Sequence, residues 1–420
     1  VLKKLEINGF KTIRQAELEF GRVNIFIGGN GSGKSNILEA MGVLSAALKD
    51  ISVLELQKRG VRLSVPTLFK SAFKNTHLKS NFSFKAEFEN DVHYDVSIKA
   101  GLHSDSLRFF TEHIHHAGTT YMGRGPAGVR ILGVSAAKKD MDPTRGLWDR
   151  FRETIDIPES LEAELNRMAT FAIYAPQTAF LRGTDIESVP IKPIGLQGGG
   201  LPQAALNIIH HRNQLFLAKK LKRYELINNV LELPKAPGWT DRFAVSRFNA
   251  QQVPSQVRTG DSTLYFIDKF MRLKRNRLSA YDSSEGTLYL LFIALLLIHP
   301  ESPKIFALDN VDNALNPAMT TGMLETLIRV ICNQDFRNEN IGPDQVFLTS
   351  HNPTALDAFD IFDPDQRIFV VFRDKNTGET NIKPLKPKKG MTRADWIKQK
   401  SGKLMSELWI EGKITGALGL

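Results

Sequence analysis

Eight residues near the start carry the clearest chemistry in this sequence. Gly28-Gly29-Asn30-Gly31-Ser32-Gly33-Lys34-Ser35 fits the G-x-x-x-x-G-K-[ST] spacing of a phosphate-binding loop. Glycines let the backbone turn sharply and bring its N–H groups close to phosphate oxygens. A helix opening at Lys34 offers its positive end to the same anion. The Lys34 ammonium reaches the β- and γ-phosphates of a nucleotide, and the Ser35 hydroxyl helps to hold Mg²⁺. Asn30, Gly31, Ser32, Gly33 and Asn36 complete the expected cradle.

Three later segments carry related chemistry. Ser283-Ser284-Glu285-Gly286-Thr287 opens a strongly apolar run. A helix start there exposes N–H groups that favour an anion, although Ser284 also fits an ordinary helix cap. Ile305 to Leu308 is an apolar strand that ends in Asp309, where a carboxylate can hold Mg²⁺. Asn310 and Asp312 follow closely. Val346 to Ser350 is another strand, ending in His351. Alone, such a histidine is more often a strand-end surface residue than a phosphate sensor.

Taken in this order, the four motifs resemble those of ABC-type, SMC/RecF-like P-loop ATPases. The form Asp309-Asn310-Val311-Asp312-Asn313-Ala314-Leu315-Asn316-Pro317 and the tail Leu404 to Gly416 are most similar to stand-alone bacterial ATPases of the abortive-infection and phage-defence type. The resemblance implies ATP and Mg²⁺ as cofactors, with Ser35 and Asp309 on the metal. It implies that Gln177 completes the metal shell and that His351 senses the γ-phosphate. It further implies two copies clamping two ATP molecules, the loop and Asp309 of one facing Ser284, Glu285 and Gly286 of the other. A separately encoded effector, a nuclease, is the implied partner. Lys11 stands where related proteins place a residue near the phosphates.

One departure stands out. The family places glutamate directly after the strand-ending aspartate, and here that position is Asn310. An amide is no general base near neutral pH, though it can orient a water, and Asp312 stands near enough in sequence to substitute. The expected output is slow hydrolysis. Two other readings stay open: a RecF-like repair ATPase that acts on DNA, and an ATP-locked scaffold.

The elements that must position these residues read as an α/β fold with a mixed sheet flanked by helices. Strands are expected over 2–8, 15–20 and 23–27, with a helix from Lys34 to about Leu48. Asn81–Glu89 and Val92–Ala100, separated by Asn90-Asp91, suit a hairpin. Short strands are expected at 171–174, 304–308, 345–349, 367–373 and 379–384, and helices at 158–168, 258–277, 287–298, 317–334 and 401–412. The expected organisation is an N-terminal core half (1–100), an inserted and mainly helical arm (101–257), and a C-terminal core half (258–420).

The net charge of +10 suits phosphate, DNA, RNA or an acidic protein partner. Lys219, Lys220, Lys222 and Arg223 form one basic cluster, Arg272, Lys274, Arg275 and Arg277 a second, and Lys383, Lys386, Lys388 and Lys389 a third. Each also fits a solvated face. The longest apolar run, Leu288 to Ile298, is shorter than the roughly 20 residues a bilayer span needs. Cys332 is the single cysteine, so no internal disulfide forms. The start at Val1 shows no leader pattern and fits removal of an initiator methionine. A cytoplasmic chain is expected. His113, His115 and His116 crowd together but lack companion carboxylates or cysteines, and are expected in a polar loop.

Overall fold

The computed structural model describes residues 1–74, 76, 79–101, 106–133, 142–247, 253 and 262–414. Its strands are β1 (Leu2–Phe10), β2 (Ile13–Glu19), β3 (Val23–Ile27), β4 (Asn81–Phe88), β5 (Val92–Lys99), β6 (Arg108–His116), β7 (Thr119–Gly125), β8 (Gly128–Ile131), β9 (Ala172–Tyr174), β10 (Thr240–Arg247), β11 (Ser262–Asp268), β12 (Arg277–Ser279), β13 (Ile305–Leu308), β14 (Gln345–Ser350), β15 (Gln366–Arg373) and β16 (Thr380–Leu385). The chain divides into two units. One comprises Val1–Ile173, Pro303–Asp309 and Gln345–Leu420, and the other Tyr174–Ser302 and Asn310–Asp344.

In the first unit, β2-β1-β4-β5-β6-β7-β8 form an antiparallel sheet. A second, mixed sheet runs β16-β15-β3-β14-β13-β9. In it β3 lies parallel to β14 and β15, and β14 parallel to β13, whereas β16 is antiparallel. Every residue of β3, β13 and β14 is buried, which explains their near-continuous apolar runs. The helix Lys34–Ala47 is buried along most of its length. Its Ile37, Leu38, Met41 and Leu44 share one core with Leu5, Phe10, Phe84, Phe347 and Phe369 from the two sheets.

The second unit holds β10-β11-β12 and the helices Leu201–Leu217, Leu221–Leu231, Glu285–Ile298 and Pro317–Cys332. In Glu285–Ile298 every residue after Glu285 is buried. An all-round apolar helix of this length belongs in a core.

The structure corrects the sequence reading in several places. The region after residue 100 is not mainly helical at its start, because β6, β7 and β8 extend the antiparallel sheet. Their pattern is hidden because Glu112 and Arg124 occupy buried positions and pair with each other. The histidines 113, 115 and 116 therefore lie on a strand, not in a loop. No helix spans 258–277. Residues 258–261 lie outside the described residues, and Ser262–Asp268 and Arg277–Ser279 are strands. Leu264 to Phe266 are buried consecutively, so strand alternation is absent from the sequence. The arm boundary at 257 falls among residues 254–261, outside the described residues, as do 102–105, 134–141 and 248–252 within the arm. The terminal helix is shorter than expected, Met405–Ile410, and 415 and 416 of the tail lie outside the described residues.

Candidate nucleotide site

The parallel strands fix the first part of the site by register. Ile27 of β3 pairs with Ser350 of β14, and Leu348 of β14 with Leu308 of β13. The residues that follow these strands, Gly28, His351 and Asp309, therefore meet at one carboxyl edge, where open α/β sheets bind ligands. Gly31 and Gly33 have φ of 74° and 104°, a region that favours glycine. Gly28 also lacks room for a side chain, since a Cβ there would lie 2.0 Å from the Val371 carbonyl oxygen.

Lys34 is 6% exposed. Its ammonium donates to the carbonyls of Gly28 at 2.8 Å and Gly29 at 2.9 Å. The Ser35 hydroxyl donates to Asp309 Oδ2 at 3.0 Å and Oδ1 at 3.2 Å, and Thr349 donates to Asp309 Oδ1. Asn36 Nδ2 donates to Thr12 Oγ1 at 2.7 Å. Asn30 and Gly31 are exposed on the loop.

Three residues that the sequence reading passed over support the site: Thr12 and Thr380 hold the loop, and Thr349 holds Asp309. Thr380 Oγ1 donates to the Ser32 carbonyl at 3.0 Å and lies 2.7 Å from Thr12 Oγ1. A Cβ on Gly33 would meet both hydroxyls. Thr349 adjoins the quoted Ser350-His351 and was open to reading as a third oxygen beside Asp309. Thr12 and Thr380 gave no such signal, because long-range pairing alone brings them to the loop.

The residues present fit a Mg-nucleotide. Ser35, Thr349 and Asp309 form an oxygen donor set suited to a hard cation. Ser32 Oγ is buried with no hydrogen-bond partner among the described residues, an acceptor's place that a phosphate oxygen fills. Lys34 and the N–H groups at the helix start would hold the phosphates, and bound Mg²⁺ would supply charge neutralisation there. Lys11, by contrast, is engaged elsewhere. Its ammonium pairs with Glu39, which also pairs with Arg62, and burial pushes the Lys11 pKa down against the pull of Glu39. His351 is exposed at the end of β14.

The second unit carries the remaining candidates. Ser284 is the N-cap residue of Glu285–Ile298, but its side chain makes no capping hydrogen bond. Ser284 and Glu285 are exposed, and Glu285 accepts from Thr178. Gly286 is buried, and a Cβ there would lie 3.1 Å from the Ala314 carbonyl oxygen, so glycine lets the helix start approach the Asn313–Asn316 loop. Asn310 adopts φ 56° and its carbonyl accepts from Asn313 N at 3.0 Å. Asp312 is buried. Its charge and, above all, burial raise the Tyr289 pKa, whose hydroxyl donates to the Val311 carbonyl at 3.2 Å. Gln177 is exposed and precedes the short helix Thr178–Leu181.

The family described as “AAA ATPase domain” matches residues 1–122, and “AAA domain, putative AbiEii toxin, Type IV TA system” matches 204–357. The two matches take in the phosphate loop, the Ser284 helix start, Asp309 and His351. Each match covers less than half of the chain, and both descriptions are of AAA-type domains. A DNA replication and repair protein RecF from Phocaeicola vulgatus is 50% identical to this chain over 46 residues, which span 11% of the chain and only 12% of that protein. An SMC head domain from Thermotoga maritima has a TM-score of 0.43 and 14% identity, covering 92% of this chain and 99% of the other. The recombination mediator protein RecF-ATPrS in the RecFOR pathway has a TM-score of 0.37 and 12% identity, with 91% and 98% covered. Among the described residues no helix is long and apolar enough to cross a membrane, and no group of three or more His, Cys, Asp or Glu is placed to hold a metal ion.

Proposed function

We propose that this protein hydrolyses ATP slowly with Mg²⁺, dimerises around the nucleotide, and serves in the cytoplasm as a sensor that regulates a separate effector, a nuclease, in bacterial defence against phage. The observation that carries the nucleotide reading is the meeting of Ser35, Thr349 and Asp309 beside a buried Lys34. The defence reading is supported by the AbiEii description of the family that matches 204–357. In this reading Ser284, Glu285 and Gly286 contact ATP held by a second copy, Gln177 joins the metal shell, and His351 reads the γ-phosphate. Slow turnover follows from Asn310, whose amide orients water but does not remove its proton. A RecF-like action on DNA is the second reading, favoured by the 46-residue match to RecF. ATP-dependent DNA binding by the purified chain alone distinguishes it.

Steady-state hydrolysis tests the first reading. Lys34→Ala is expected to cut ATP affinity by roughly tenfold or more, through loss of a charge-assisted contact, and to set the blank rate. Turnover above that blank supports the cycling ATPase, and Asn310→Glu is expected to raise it. Binding without turnover in both the parent and Asn310→Glu would replace the enzyme with an ATP-locked scaffold. Equal ATP affinity in parent and Lys34→Ala would sink the nucleotide assignment itself.

A further inference from the structure

The turn between β11 and β12 is built in an unusual way. Residues 269–277 contain Lys269, Arg272, Lys274, Arg275 and Arg277, with no acidic residue among them. Three large apolar side chains are interleaved with these cations and face solvent: Phe270 at 78% exposure, Met271, and Leu273 at 91%. Adjacent exposed apolar groups of this size mark a contact surface more often than a plain solvated turn.

Their exposure is held in place. The Asp268 carboxylate accepts from the amides of Phe270 at 2.8 Å and Met271 at 3.2 Å. Asp268 N donates to the Asn276 carbonyl at 2.7 Å, and Arg275 N to the Arg272 carbonyl at 2.7 Å. At the base, the Arg277 guanidinium lies 4.1 Å from the Tyr265 ring centroid and donates to Ser246 Oγ at 2.8 Å. Arg272, Lys274 and Arg275 are exposed and make no ion pair within the chain among the described residues.

We propose that this hairpin tip is a nucleic-acid contact, in which Phe270 and Leu273 press against or between bases while Arg272, Lys274 and Arg275 hold the flanking phosphates. The chemistry is that of an apolar wedge ringed by cations, the means by which proteins unstack a base step, and aromatic stacking on bases tolerates any sequence. Charge decides against the other partners. Three cations with no ion pair among the described residues, on so short a tip, match a polyanion of closely spaced phosphates, whereas three apolar side chains bury too little area to anchor a protein on a bilayer surface. The contact stands whether or not ATP is hydrolysed, and it narrows a DNA-acting role to one element. That element is also tied to the Ser284 loop, since Ser279 at the end of β12 donates to Asp282 Oδ2 at 2.9 Å and accepts from Ser283 Oγ at 2.7 Å.

The test uses the full chain, fluorescein-labelled single-stranded and duplex oligonucleotides, and anisotropy across a salt series, with and without ATP. Substituting Arg272→Ser, Lys274→Ser and Arg275→Ser together is expected to weaken binding about tenfold or more and to lower the salt slope by about 2. Substituting Phe270→Ser with Leu273→Ser is expected to leave the slope unchanged, weaken single-strand binding by roughly tenfold, and abolish the brightening of a 2-aminopurine base that the parent causes. All five side chains are exposed, and unchanged thermal melts confirm that the variants fold. The proposal is overturned by a parent that binds neither oligonucleotide in either nucleotide state, or by equal affinity in parent and variants. It is likewise overturned by a parent that binds phosphatidylserine vesicles and ignores the oligonucleotides.

Discussion

At the scale of the residue, Asn310 shows how one position answers to two demands. Its place after Asp309 makes it the nearest candidate to orient water, and its φ of 56° puts it where most side chains are strained. Asparagine tolerates that conformation better than residues without a short polar side chain. Asn310→Ala is therefore expected to lower stability by about 1 kcal/mol and Asn310→Gly to leave it nearly unchanged, as measured by urea denaturation. Equal losses in the two variants would show that the side chain, and not the backbone, matters there. Any gain in turnover from Asn310→Glu arrives with the same strain. The place of Asn310 just past the strand Ile305–Leu308 was legible from the apolar pattern. Its backbone conformation was not, because a left-handed residue leaves no mark beyond the residue type. Lys11 marks the opposite limit. The resemblance to related proteins pointed it to phosphate, while its partner, Glu39, comes from a helix whose buried face the sequence showed only as apolar.

At the scale of the element, the core halves were legible because β3, β13 and β14 are buried throughout and so read as near-continuous apolar runs. The β4–β5 hairpin was legible from Asn90-Asp91, which adopt φ of 59° and 54°, the two positive angles that a tight hairpin turn demands. The strands β6 to β8 were illegible because an ionisable pair, Glu112 and Arg124, takes core positions on β6 and β7. Glu112 accepts from Tyr94 OH at 3.1 Å and Leu147 N at 3.0 Å, and Arg124 lies 3.2 Å away. Burial pushes the Glu112 carboxyl up to about 7, against the pull of Arg124 and those two donors. Between pH 4.5, its value when unfolded, and about 7 the folded chain keeps a proton that the unfolded chain has lost. Stability therefore falls as pH rises through this window, by about 3 kcal/mol in all, and levels off above it. Glu112→Gln keeps an acceptor for Tyr94 and Leu147 and is expected to flatten that slope in denaturation curves taken from pH 5 to 8. A slope of unchanged size in the variant would assign the pH dependence to other groups.

At the scale of the whole molecule, the proposed clamp makes a demand that no single chain meets. Lys34 lies in the first unit and Ser284 in the second, and in the clamp each ATP takes its loop from one copy and its Ser284 from the other. Two variants then fail for different reasons: Lys34→Ala spoils the loop of its own chain, and Ser284→Arg spoils what that chain offers its partner. Either alone leaves both sites of a symmetric pair defective. A mixed pair regains one intact site, formed by the loop of the Ser284→Arg chain and the Ser284 of the Lys34→Ala chain. Equal mixing at random gives half mixed pairs with one good site of two, so turnover is expected to recover to about a quarter of the parent's. Hydrolysis by the two variants alone and mixed, with mass measured by light scattering in ATP, reads this directly. If Ser284→Arg still binds ATP and the mixture stays as inactive as its components, the clamp is wrong and each chain works on its own nucleotide. Recovery would place Ser284 opposite the phosphates of a second copy, a role that its uncapped, exposed hydroxyl at the head of a buried helix already fits.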